Sequence, residues 1–188
     1  MREKFETDAD RKNQAELAEG VKRLMGWGLR DLGKSNAHYN LDFFATDNGT
    51  RHGAAWVEVK TRSHTFGTYP TIMLSAGKWR DGVSLSQTSQ LPFLLFFGFA
   101  DGVYRYRYDP KHVVSPTAMK LGLAPPNVVT FEWGGRTVKD RDEADAEPVA
   151  LIPLALWERV VIPPAPEREK APFESDDKPA PGVVEHPF

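Results

Sequence analysis

The sequence predicts an α/β fold, because segments with helical and strand-like periodicity follow one another in the order helix, hairpin, helix, strand. The chain has 188 residues, a length that suits one domain with a substantial hydrophobic core. Apolar residues form 40% and charged residues 27% of the composition, as in ordinary globular proteins. The chain contains no cysteine, which excludes a disulfide framework, a thiolate zinc site and a cysteine nucleophile.

The first helix is predicted to begin at Thr7 or Asp8, either of which can cap its N-terminus. Apolar residues then recur at helical spacing, at Leu17, Val21, Leu24 and Met25. Gly26 and Gly28 are expected to end the helix.

Two alternating segments, 38–47 and 54–61, are predicted to form an antiparallel hairpin with a long loop. The turn signal between them is Asp47-Asn48-Gly49. Asp42 is expected inside the first strand, in an otherwise apolar stretch where an aspartate is disfavoured unless it has a task or a partner. Glu58 and Lys60 lie two residues apart, so they share one face of the second strand.

A second helix is predicted from about Ser75 to Ser89, although Gly77 and Gly82 weaken its helical propensity. The apolar run 93–97 is typical of a buried strand, and 103–108 alternates as its partner. Further along, we expect a short helix opening at Ser115-Pro116, a hairpin over 128–140 around the glycines 134–135, a strand at 148–152 and a short helix through 153–160.

The chain is expected to form one domain over residues 1–162, followed by a tail at 163–188. Seven of the fifteen prolines fall in this tail, which holds few large apolar residues. Such a segment cannot bury enough surface to offset its ordering entropy, so we expect it to be disordered or loosely docked. Its PxxP spacing is compatible with docking to a protein partner, and a plain tail is the simpler interpretation.

Charge is unevenly distributed along the chain. Residues 51–120 carry nine Lys or Arg against four Asp or Glu, whereas the whole chain has a net charge of −2. A basic middle is compatible with a polyanionic partner, and equally with a solvated surface. No apolar run approaches the roughly 20 residues that span a bilayer, and the polar N-terminus is not typical of a secretory signal, so no membrane association and a cytoplasmic location are expected.

Asp42, Glu58 and Lys60 are the candidate catalytic residues. Two carboxylates held close together repel each other and favour a hard divalent cation between them. A lysine beside such a cation can orient or activate an attacking water, or neutralise charge on a phosphate. The trio therefore suits phosphodiester hydrolysis. The alternative is a surface Glu–Lys pair with an unrelated turn aspartate.

These residues, in NLDFF and VEVK with fifteen residues between Asp42 and Glu58, resemble the motif of the PD-(D/E)XK nuclease superfamily. The resemblance covers about residues 8–110, and Leu41 replaces the proline of the family's pattern. It implies a restriction-endonuclease-like mixed β-sheet flanked by helices, here with an extra C-terminal hairpin. It also implies Mg²⁺, or Mn²⁺, held by Asp42, Glu58 and the carbonyl of Val59, with Lys60 assisting the water.

The resemblance further suggests an acidic residue on the first helix, for which Glu16 is preferred over Glu19. It suggests a polar or basic residue on the second helix near phosphate, for which Lys78 is preferred over Gln87. Arg62 and Arg80 are expected to line a phosphate-binding groove. For all of these, an exposed polar residue is the alternative.

The sequence thus predicts a Mg²⁺-dependent nuclease, with DNA as the expected nucleic acid and a homodimer compatible with cutting two strands. The alternative is a non-catalytic module that binds nucleic acid or protein, such as a phage or mobile-element accessory or assembly protein, which retains the nuclease fold.

Overall fold

The computed structural model describes residues 7–33, 40–114, 121, 127–134 and 147–166. The helices and strands in these ranges are α1 (Asp8–Met25), β1 (Trp27–Asp31), β2 (Phe43–Asp47), β3 (Gly53–Thr61), β4 (Thr71–Ser75), α2 (Ala76–Ser89), β5 (Phe93–Phe99), β6 (Gly102–Arg107), β7 (Thr130–Gly134), β8 (Glu147–Pro153) and β9 (Glu158–Val160).

Six strands form a mixed sheet in the order β1-β2-β3-β5-β6-β9. The central pair β3 and β5 is parallel, and the remaining neighbours are antiparallel. A second, antiparallel sheet has the order β4-β8-β7. The predicted α/β class, with helices on a mixed sheet as in restriction-endonuclease-like folds, is therefore confirmed.

Helix α1 begins and ends where the sequence predicts. The Thr7 hydroxyl accepts a hydrogen bond from the backbone N–H of Asp10, whose carboxylate accepts one in return from the Thr7 N–H. Gly26 ends the helix with a φ of 66°, in the left-handed region that glycine adopts without strain.

The two helices bury their apolar faces in two separate cores. The α1 core joins Leu17 and Val21 to Val57 and Val59 of β3. The α2 core joins Trp79 to buried residues of the α2-facing side of the sheet and of the second sheet, including Phe93, Leu95, Phe97, Leu74 and Ile152. Because successive residues of β3 point to opposite faces, Glu58 projects away from the α1 core and toward the side of α2.

Gly82 lets helix α2 lie close to strand β5. A Cβ atom at this position would lie 2.3 to 2.6 Å from three ring carbons of Phe93, which is fully buried. The glycine that weakens the helix in the sequence therefore permits the packing that places α2 over β3 and β5.

We expect Gly82→Ala to destabilise the fold by about 2 kcal/mol, because overpacking costs about 1–3 kcal/mol and outweighs the higher helix propensity of alanine. Gly77→Ala is the matched control on the same helix, where the nearest atom to a new Cβ is the Ser75 Oγ at 3.7 Å. This control should be neutral or stabilising. Chemical denaturation of both variants measures the difference, and equal stability of the two would contradict the packing role of Gly82.

Several elements differ from the sequence-based expectation. Asp42 lies in a bend before β2 and not inside a strand, because Leu41 turns into the α2 core whereas Ala45 packs in the α1 core. Strands β1 and β4 were not predicted. The short helix predicted over 153–160 is present only as a 3₁₀-helix at Leu154–Leu156. Residues 158–160 form β9, because the open edge of β6 offers backbone hydrogen-bond partners there.

The C-terminal hairpin is only partly described. Strand β7 pairs with β8, which covers the predicted strand at 148–152, whereas the predicted partner at 136–140 lies outside the described residues. The short helix at Ser115-Pro116 and the tail from residue 167 also lie outside them. The start of the tail contacts α1, where the Pro163 carbonyl accepts a hydrogen bond from Arg23 Nε at 3.2 Å. The domain boundary at 162 stays a prediction.

None of the helices in the described part of the chain is both long and apolar enough to cross a bilayer.

Candidate active site

Asp42 is held against the backbone of strand β3. Its Oδ2 accepts hydrogen bonds from the Val59 N–H at 3.0 Å and from Gln14 Nε2 at 3.1 Å. Two interactions fix the bend that contains Asp42. The neighbouring Leu41 is buried, and the Leu32 N–H donates a hydrogen bond to the Asp42 carbonyl. Phe43 pairs with Val57 in the antiparallel ladder, so the residue before it, Asp42, lies opposite Glu58. The two carboxylates therefore lie close together.

Glu58 is the one charged side chain among the described residues that is buried, with a relative exposure of 1%. It lies on β3, which is paired on both sides, so the surrounding sheet excludes water. Burial, together with the nearby charge of Asp42, raises the pKa of Glu58 to about 8. Its Oε2 has no hydrogen-bond partner among the described residues, so one buried carboxylate oxygen is left free for a ligand.

Lys78, in the first turn of α2, bridges the two carboxylates. Its Nζ donates to Asp42 Oδ1 at 3.0 Å and to Glu58 Oε1. Burial alone would lower the pKa of Lys78, but the carboxylates of Glu58 and Asp42 outweigh burial and raise it above its ordinary value. The ammonium group therefore stays charged and occupies the space between the two acids.

Lys60 follows Glu58 on the same face of β3, and its charge interacts with both Glu58 and Asp42. Burial and the neighbouring charge of Arg62 lower the pKa of Lys60. The site thus holds two lysines of opposite character, one kept protonated by the acids and one more easily deprotonated.

Gln14 is a member of the cluster that sequence reasoning missed. Its Nε2 donates both to Asp42 Oδ2 and to the carbonyl oxygen of Val59, at 3.0 Å in the second case. Helical spacing could have indicated its position. Gln14 lies three residues before Leu17 and seven before Val21, so it shares the helix face that packs on the sheet. The carbonyl of Val59, a predicted metal ligand, is therefore at the cluster.

The structure does not bring Glu16 to the cluster. Its side chain is 66% exposed and lies 3.9 Å from Lys12 Nζ, one turn away on the solvent side of α1. The helix phase set by the α1 core directs Gln14 to the site and Glu16 away from it. Glu19 is also exposed and pairs with Lys22.

The residues predicted to bind phosphate are divided between two places. Arg62 lies beside the cluster, half-buried over the ring of Phe97 at 5.8 Å from its centroid. Arg80 is exposed and pairs with Asp81, and Gln87 Nε2 donates to the Tyr108 hydroxyl at 3.4 Å. Arg80 and Gln87 line a separate cavity of about 660 Å³ between α2 and the β7–β8 sheet, whose walls include none of the cluster residues.

The oxygen donors of the cluster fit a hard divalent cation. They are the carboxylates of Asp42 and Glu58 and the carbonyl of Val59, and Mg²⁺ is usually held by one or two carboxylates with water or phosphate completing its shell. Glu58 Oε2 has no hydrogen-bond partner among the described residues, and the Lys78 ammonium lies between the two acids. Within the described ranges, no group of three acidic or histidine side chains gathers.

A family model described as "phage putative PDDEXK endonuclease" matches residues 1–160 of the chain. No curated protein and no solved structure matches the chain.

Proposed function

The chain belongs to the phage PDDEXK endonuclease family, and from this premise we propose that it is a Mg²⁺-dependent endonuclease that hydrolyses phosphodiester bonds in DNA. Asp42, Glu58 and the carbonyl of Val59 would hold the metal ion, and Lys60 would act on the attacking water. Mn²⁺ is the expected substitute, because it accepts the same oxygen ligands.

The observation that carries this proposal is the burial of Glu58 beside Asp42. An ionised carboxylate is costly to bury, and a second carboxylate nearby raises that cost. One Glu58 oxygen lacks any hydrogen bond in the described structure, so the site is poorly explained as a structural ion pair. A divalent cation would satisfy the free oxygen and neutralise both acids.

A bound divalent ion would polarise the scissile phosphate and lower the pKa of a water molecule beside it. The chain supplies the remaining groups. In hydrolysis, the water oxygen forms a bond to phosphorus, the bond from phosphorus to the leaving oxygen breaks, and a proton passes from the water toward the leaving oxygen. The lowered pKa of Lys60 suits its amine to hold the water and to take up that proton.

The cations around the cluster support a phosphate-bearing substrate. Lys78 contacts the two acids, Lys60 lies on the same face of β3 as Glu58, and the charge of Arg62 acts on Lys60, so the site is rich in cations that suit a phosphate. Arg80 and Gln87 lie at a different cavity and belong to the proposal only as more distant backbone contacts. Homodimerisation and docking of a partner by the tail stay predictions from sequence.

The test is cleavage of supercoiled and linear DNA by the purified chain with Mg²⁺, with Mn²⁺ and with excess chelator. We expect cleavage that requires the metal, and a loss of about 10²-fold in rate for Lys60→Met, which removes a group that acts in proton transfer. Lys111→Met, an exposed lysine outside the cluster, is the control and should cleave normally. Salt-dependent DNA binding without cleavage under any metal would favour the non-catalytic binding module instead.

A further inference from the structure

The amine of Lys78 occupies the space that two acidic metal ligands normally enclose. It contacts one oxygen of each carboxylate, Oδ1 of Asp42 and Oε1 of Glu58, while the second oxygen of Asp42 is taken up by Gln14 and the Val59 N–H. Glu58 still has its unpartnered Oε2 to offer a divalent ion, but both oxygens of Asp42 already accept hydrogen bonds, so an ion held by both acids would compete with Lys78.

We propose that Lys78 is a built-in counter-ion that the divalent metal displaces, so that metal binding frees its amine to contact the substrate phosphate. This inference rests on the proposed function and names the regulation of the same site. It makes metal binding and DNA binding depend on each other through one side chain.

The charges show why the ammonium group and the metal exclude each other. The carboxyl groups of Asp42 and Glu58 already lie beside two lysines, Lys78 in contact with both of them and Lys60 on the same face of β3 as Glu58. A divalent ion held by these two carboxylates would lie close to the Lys78 ammonium, in a site where burial weakens screening by water. Repulsion at that distance favours departure of one cation.

The Lys78 side chain can also move away from the two acids. Its side chain is 29% exposed and extends from the first turn of α2, whereas the Glu58 side chain is 1% exposed. A flexible four-carbon stem lets the ammonium move while the helix stays in place. Once released, it is a mobile cation at the edge of the cluster, where a phosphate oxygen must lie to reach the same site.

The first test measures Mn²⁺ binding to the full chain by calorimetry at fixed pH, without nucleic acid. Lys78→Met should bind Mn²⁺ at least about tenfold more tightly than the wild type, because the competing cation is gone. Lys78→Gln keeps a hydrogen-bonding group and guards against misfolding, and it should show the same direction. Lys22→Met, a surface lysine paired with Glu19, should bind like the wild type.

The outcomes separate the two proposals. If the wild type binds Mn²⁺ and both Lys78 variants bind equally or more weakly, Lys78 holds the acids in place and the displacement proposal is overturned while the metal site stands. If neither the wild type nor the variants bind, the metal site and the proposed function fail together.

A second test measures binding of a short DNA duplex, with cleavage suppressed by Lys60→Met. Adding Lys78→Met to this background should weaken DNA binding about tenfold in the presence of Mn²⁺, and lower the salt dependence by about one phosphate contact. Without Mn²⁺ the two proteins should bind alike, because Lys78 is then held by the acids. An equal loss with and without Mn²⁺ would overturn the coupling.

Discussion

Asp42→Asn is expected to lower the rate of DNA cleavage by at least about 10³-fold, a loss of about 4 kcal/mol in transition-state stabilisation. Asp42 supplies one of the two carboxylates in the proposed metal site. An amide is a much weaker ligand for a hard divalent ion than a carboxylate, because it carries no charge. The loss should appear in single-turnover cleavage, where substrate binding and product release do not mask the chemical step.

The same substitution should leave the fold in place. The side-chain oxygen of an asparagine can still accept the hydrogen bond from the Val59 N–H, which ties the bend to β3. Its amide nitrogen would then face the Lys78 ammonium, which keeps its contact with Glu58. We therefore expect circular dichroism of the native type and a modest change in melting temperature.

Asp8→Asn is the matched control for Asp42→Asn. Asp8 is an exposed aspartate in the first turn of α1, where it pairs with Arg11. Its substitution removes the same charge from the chain without touching the cluster, so cleavage should be unchanged. Normal cleavage by Asp42→Asn, with the fold preserved, would show that the reaction does not use this carboxylate.

The proximity of Asp42, Glu58 and Lys60 could be predicted from the sequence because it depends on local rules. Side chains two apart on a strand share a face, and a hairpin brings its two strands into register. The structure brings Asp42 and Glu58 together, but Asp42 lies in a bend one residue before β2 and not inside a strand as predicted. Asp42 is in a bend because Leu41 is buried in the α2 core, and the local sequence does not indicate which core Leu41 joins.

The contacts of Lys78 and Gln14 could not be predicted because they depend on how the helices dock. Gly82 lets α2 pack closely on β5, and Lys78 extends to both acids from the first turn of the docked helix. Gln14 and Glu16 are both polar residues near the apolar stripe of α1, and only the packing of that stripe on β3 decides which one meets Asp42. Strands β1 and β4 were missed for a similar reason, since each is short and is defined by the strand beside it.

The metal-free protein is expected to lose stability as the pH rises from about 5 to about 8. Glu58 is protonated in the folded state up to a pKa of about 8, whereas in the unfolded chain its pKa is near the ordinary value of 4.5. Between these values the folded state binds more protons than the unfolded state, so the free energy of unfolding falls with rising pH. Below this window the contribution is fully present, and above it the loss levels off.

Glu58→Gln isolates this effect from the other titrating groups, because glutamine resembles the protonated acid and does not ionise. Denaturation of both proteins with chelator present should show the stability of the variant gaining on the wild type by several kcal/mol between pH 5 and pH 8.5, at up to about 1.4 kcal/mol per pH unit. Glu16→Gln removes an exposed carboxylate and controls for the loss of surface charge. Parallel curves for the wild type and Glu58→Gln would mean that the buried carboxyl is ionised throughout this range, and that Lys78 neutralises it more completely than its burial suggests.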